Sequence, residues 1–256
     1  MKSFGNAVVK ARHLILILAF VLLVPAVWGY THTRVNYDIL TYLPDSIETI
    51  KGQDILMNEF GTGAITMLIV EDKNDKEIVA MEDEIRKVDH VKKVLWYDSF
   101  ADITIPKEML PERIRDAFIK GNATMLAITY DSSTSSDETM AAVTDIRKVL
   151  DSGCYLQGMS AVITDTKDLA EAEEPIYVAL AVLLSSVILA LSMDTFLAPV
   201  FFLLSIGIAI IYNLGSNYFF GEVSYITKAL AAVLQLGVTM DYSIFLWHSF
   251  KENEQS

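Results

Sequence analysis

Residues 229–247 read ALAAVLQLGVTMDYSIFLW, an apolar run whose one formal charge is the carboxylate of Asp241. At 1.5 Å of rise per residue a helix of this length crosses the hydrocarbon core of a bilayer. A carboxylate there loses its water at a cost of roughly 2.5–3.5 kcal/mol on the lowest scales, so intramembrane acids face a bundle interior and handle protons or ions. The stretch predicts a membrane protein with a transport group in its last span.

Three further apolar runs precede it. His13–Tyr30 (HLILILAFVLLVPAVWGY) follows Lys2, Lys10 and Arg12, which keeps the N-terminus cytoplasmic by the positive-inside rule, and Trp28 with Tyr30 suits an interfacial belt. A signal peptide cleaved after the small residues Val27 and Gly29 is the alternative. Ile176–Met193 and Phe196–Leu214 are separated only by Asp194 and Thr195, a connection that admits nothing but an antiparallel helix pair. Counting crossings puts residues 31–174 outside, the Asp194 turn inside, 215–224 outside and Lys251 onward inside. The expected domains are residues 1–30 (N-terminus and first span), 31–174 (external domain), 175–250 (spans two to four) and 251–256 (cytoplasmic end). Lys228 is expected to snorkel toward the outer interface.

Composition agrees with a chain divided between lipid and water. It is 52% hydrophobic with a mean hydropathy of +0.37, yet 21% charged, too apolar for an ordinary soluble protein and too charged for a purely membrane one. Residues 31–174 hold 28 Asp and Glu against 15 Lys and Arg, which accounts for the whole net charge of −13. So acidic a domain excludes nucleic acid as a partner, because phosphate binding needs clustered Lys and Arg. The single cysteine, Cys154, gives neither an intramolecular disulfide nor a metal-ligand spacing, and reads as a buried small hydrophobe. No Ser-His-Asp set, zinc spacing or nucleotide fingerprint stands out, so no enzyme, metal or cofactor is expected.

Within the acidic segment the pattern is α+β. Ala64–Val70 and Val91–Tyr97 read as strands around a helical Lys76–Val88, where Ile78, Met81, Ile85 and Val88 recur at helical spacing. Residues 106–120 read as an inserted helix with Pro111 near its first turn. Strand Ala123–Tyr130, helix Asp137–Leu150 and strand Tyr155–Gln157 follow, and a helical stretch Ala161–Glu174 runs into the second span. Without the insertion the order is βαββαβ, a ferredoxin-like arrangement. The expected fold class is thus a four-span α-helical transmembrane bundle with an extracytoplasmic α+β ferredoxin-like domain.

Three stretches carry a family resemblance: NYDILTYLPDS (Asn36–Ser46), MNEFGTG (Met57–Gly63) and, above all, LQLGVTMDYSIFLWHSF (Leu234–Phe250). They resemble the N-terminal half of an RND-superfamily transporter of the MmpL-like branch, over nearly the whole chain. The resemblance implies proton-driven export of lipids, drugs or other amphiphiles across the plasma membrane, with an external porter domain handling substrate. It also implies an Asp-Tyr proton relay in the fourth span, here Asp241 and Tyr242. Such transporters have two homologous halves, and no internal repeat is found here. The expected partners are therefore the bilayer, protons, an amphiphilic substrate, and a missing C-terminal half or additional subunits.

The residues around Asp241 fit a relay. Burial disfavours the charged carboxylate, which brings proton binding within reach of a transmembrane gradient. Gly237 lies one turn away on the same face and leaves room for a helix or water to approach, while Gln235 and Tyr242 share another face. His248, seven residues beyond Asp241, is a possible extension of the relay toward the cytoplasm or an interfacial residue beside Trp247. Asp38, Asp45, Gly61 and Gly63 read as turn formers, and Glu171, Glu173 and Glu174 as a solvated charge run. Two other functions stay open: a non-transporting membrane protein with an external binding domain, and a protein-translocation accessory of the same superfamily.

Overall fold

A computed structural model describes residues 5, 8–44, 46–61, 63–193, 195 and 197–254. The turn expected at Asp194 and the carboxylate of Asp45 lie outside the described residues. In chain order the elements are α1 (Arg12–His32), β1 (Arg34–Asn36), α2 (Glu48–Asn58), β2 (Ala64–Glu71), α3 (Asp75–Ile85), β3 (Val91–Leu95), α4 (Glu112–Phe118), β4 (Ile119–Lys120), β5 (Ala123–Tyr130), α5 (Asp137–Val149), β6 (Cys154–Gln157), α6 (Met159–Ser192), α7 (Leu197–Ser216), β7 (Glu222–Ser224) and α8 (Tyr225–Glu254). They divide between two compact units, Tyr37–Asp168 and Met1–Asn36 with Leu169–Ser256.

In the unit Tyr37–Asp168 a sheet of order β3-β5-β2-β6 is antiparallel throughout, and β4 pairs with β5 as a short flap. Strand β2 shows why: Ala64, Thr66, Leu68 and Val70 are buried while Ile65, Met67, Ile69 and Glu71 alternate outward, the two-residue period of a half-buried strand. Helices α3 and α5 follow β2 and β5 and fill the same core, with Ile78, Ile85, Val143 and Ile146 against Leu68, Leu126 and Ile128. Their starts are set by caps. Asn74 accepts from the Glu77 amide at 3.0 Å while Glu77 reaches back to the Asn74 amide at 2.9 Å, and Ser136 accepts from the Thr139 amide at 3.1 Å. Each cap satisfies a backbone donor that the helix itself leaves open.

The insertion departs from expectation. Instead of one helix over 106–120 there is a single 3-10 turn, Lys107–Met109, then α4, with Pro111 as its N-cap. Proline excludes the preceding residue from helical geometry, so Leu110 is extended and the helix restarts after it. This flap helps to close the core, because Thr124 receives the Trp96 indole N–H at 2.8 Å and donates to the Phe118 carbonyl at 2.8 Å. Trp96 is fully buried, so Trp96→Ala is expected to cost about 3–5 kcal/mol, read as a lower urea midpoint for the detergent-solubilised protein. Cys154 is half-buried and free, at the edge of this core rather than inside it.

Among the described residues four helices are long and apolar enough to cross a membrane, with mean hydropathies of 1.6–2.3 over their best windows. Helix α6 is continuous from Met159 to Ser192, so the predicted stretch before Pro175 does run into the second span without a break. Two features arise only from contacts between distant residues. Helices α1 and α7 cross at glycines, where a Cβ built on Gly29 would overlap the Gly215 carbonyl and one on Gly215 would overlap the carbonyl of Ala26. Small residues at such crossings let backbones touch, which is how helices pack where lipid removes the hydrophobic drive. Strands β1 and β7 pair in parallel, Arg34–Asn36 beside Glu222–Ser224, and Asn36 donates to Glu222 at 2.8 Å. Residues 31–36 therefore belong with the helices.

Candidate functional site

Helix α8 packs through one stripe. Ala232, Leu236, Met240 and Ser243 are buried, and Met240 meets Leu189 of α6 and Met193 just beyond its end, with Ala198, Phe202, Leu203, Ile244 and Trp247 around them. The spacing of three and four residues is that of a single helix face. Higher up the same helix, Gln235 accepts a hydrogen bond from Asn213 of α7 at 3.3 Å, a polar tie between two apolar helices. Gln235 is thus engaged in packing, with a partner that no local sequence pattern reveals.

Asp241 points away from that stripe. It is exposed, as are Gly237, Tyr242 and His248, and Tyr242 keeps 72% of its surface open. Nothing lies within 4 Å of a Cβ built on Gly237, so no described helix uses the room it leaves. Among the described residues Asp241 has no hydrogen-bond or ion-pair partner. At 100° per residue, Gly237, Asp241 and His248 stay within about 40° of one another. They form one line along α8, with His248 about 10.5 Å beyond Asp241 along the axis. Tyr242 turns about 100° from Asp241, so the two adjacent residues do not share a direction.

The structure also separates residues that the sequence grouped. Glu174 is not a member of a solvated run: its carboxylate lies 2.9 Å from the ammonium of Lys228 on α8, and both side chains are largely covered. Lys228 stands 6.0 Å from the centre of the Tyr30 ring. In the unit Tyr37–Asp168, Gly61 adopts a positive φ of 58° as a turn former does, whereas Asp38, also expected to form a turn, accepts from the hydroxyl of Ser135 far along the chain. No group of three or more His, Cys, Asp or Glu among the described residues is arranged to hold a metal ion.

The arrangement offers a titratable group in the middle of an apolar helix, on the face its own neighbours leave open. A carboxylate in that position needs cover from a further element, because lipid does not solvate its charge. Among known families, the model described as the MMPL family matches residues 48–256, which takes in the whole α/β unit from α2 onward and three of the four candidate spans. No curated protein matches the chain.

Proposed function

Because the chain belongs to the MMPL family, we propose that it forms the N-terminal portion of a proton-motive-force-driven RND-type transporter that exports lipids, drugs or other amphiphiles. In this reading it crosses the plasma membrane four times with its N-terminus cytoplasmic. Asp241 binds and releases the proton, Tyr242 assists the transfer, and Gly237 keeps space beside the carboxylate. His248 extends the path toward the cytoplasmic side. The α/β unit is an extracytoplasmic porter domain of ferredoxin-like type, a label supported by the order β3-β5-β2-β6 with helices after β2 and β5.

One observation carries the proposal. The face of α8 that bears Asp241 is the face that Leu189, Met193 and the other described helices leave uncovered. A carboxylate facing lipid is costly, so this face is built to meet a further helix or a water-lined path. The second half or additional subunit that the family implies supplies that cover.

The driving force is testable in vesicles containing the intact protein. An imposed proton gradient should drive export of a fluorescent amphiphile, and a protonophore should stop it. Export that continues after the gradient collapses removes protons as the driving ion. No export of any amphiphile, with or without a gradient, favours a non-transporting membrane protein with an external binding domain.

A further inference from the structure

The N-terminal end of α8 carries a charge pair that packing does not require. Lys228 Nζ lies 2.9 Å from Glu174 Oε2 on α6, and the two side chains keep only 17% and 21% of their surface exposed. The same ammonium faces the Tyr30 ring of α1. It also borders a cavity of about 220 Å³ whose other walls include Thr33, Val35, Leu214 and Val223. Three candidate spans converge on this one side chain.

Largely covered ion pairs are a poor source of stability, since well-packed hydrophobic residues of similar volume often hold the same elements as well or better. What a pair supplies and a hydrophobic contact does not is direction. Helices α6 and α8 touch at two levels: Glu174 with Lys228, and then Leu189 and Met193 with Met240, about 18 Å further along α8 at the standard rise. The second contact is apolar and rich in methionine, a side chain that adapts to shifts of its neighbours. Of these two contacts only the first is directional, and together with the Asn213–Gln235 hydrogen bond to α7 it fixes how α8 is rotated. At 100° per residue Lys228 and Asp241 point about 140° apart, so holding Lys228 toward Glu174 sets the direction in which Asp241 faces.

We propose that Lys228 and Glu174 are positioning residues for Asp241: their ion pair holds the rotation and depth of α8 so that the carboxylate meets the proton path. The inference rests on the proton-coupled reading above. It assigns no proton transfer to the pair itself.

The test is site-resolved labelling with a lipid-soluble carbodiimide, which adds to protonated carboxyls in apolar surroundings. The full chain is reconstituted in proteoliposomes, and adducts at Asp241 are quantified by peptide mass spectrometry at acidic and alkaline pH. Lys228→Met and Glu174→Gln should each change the labelling rate at Asp241 by roughly two- to thirtyfold, the range over which positional coupling operates. The double variant Lys228→Glu with Glu174→Lys, which keeps the pair with its polarity reversed, should restore the parent rate. Unchanged labelling in folded single variants overturns the proposal, as does a folded double variant whose labelling stays altered. If the single variants fail to fold, the double variant decides alone. Parent labelling that does not vary with pH defeats the relay reading itself, whereas pH-dependent labelling indifferent to the pair defeats only the positioning role.

Discussion

Asp241→Asn in the intact protein is expected to abolish proton-driven export while leaving expression and folding unchanged. The substitution keeps the size and shape of the side chain and removes its titration, so a relay that depends on it loses its carrier. The expected fall is roughly 100-fold or more, the scale contributed by a single acid–base group. Folding is spared because Asp241 is exposed and holds no partner among the described residues, and because a neutral amide is less costly than a carboxylate in lipid. Tyr242→Phe is expected to fall between the two, since the ring remains and only the hydroxyl is lost. Initial rates in vesicles matched for protein content check both, and parent rates in the Asp241→Asn vesicles would remove Asp241 from the mechanism.

The second large effect is on assembly of the helices. Gly215→Leu is expected to destabilise the crossing of α1 and α7 by about 3 kcal/mol, at the upper end of what overpacking usually costs. The colliding atoms are backbone atoms of Ala26, which have no rotamer through which to yield. Helix separation would also stretch the hydrogen bond from the Tyr212 hydroxyl to the Ala19 carbonyl and part the rings of Trp28 and Tyr218, whose centres lie 4.8 Å apart. The control is on the same helix: Gly207 has nothing within 4 Å of an added Cβ, so Gly207→Leu should leave the melting temperature in detergent unchanged. Equal melting temperatures for Gly215→Leu and the parent would mean that the glycine contact does not hold the helices together.

These two cases mark what local sequence carries and what it does not. The spans and strands β2, β3, β5 and β6 were legible because hydropathy and two-residue alternation are properties of consecutive residues, as in Ala64–Glu71, whereas the two-residue β4 was hidden in the expected helix 106–120. Asp241 was legible for the same reason, a charge inside an unbroken apolar run. Its exposure toward an open face was not, because that depends on which residues of α6 and α7 meet Met240. Gly29 drew attention only as a small residue at a cleavage spacing, and its contact with Gly215 exists only once two distant helices cross. Lys228 and Glu174 each looked like a surface charge until the fold joined them. Helix Glu48–Asn58 is not legible in the sequence because it buries no residue, leaving no apolar stripe to recognise.

The parallel ladder between Arg34–Asn36 and Glu222–Ser224 has a consequence for synthesis. Its two strands lie 188 residues apart, so at about 5–20 residues per second the ribosome needs roughly 10–40 s to deliver the second after the first. For nearly all of that interval the first helix lacks its glycine-faced mate, because Gly215 is made only shortly before Glu222. The ladder is therefore a late element of the fold, closed only once residue 224 has left the ribosome.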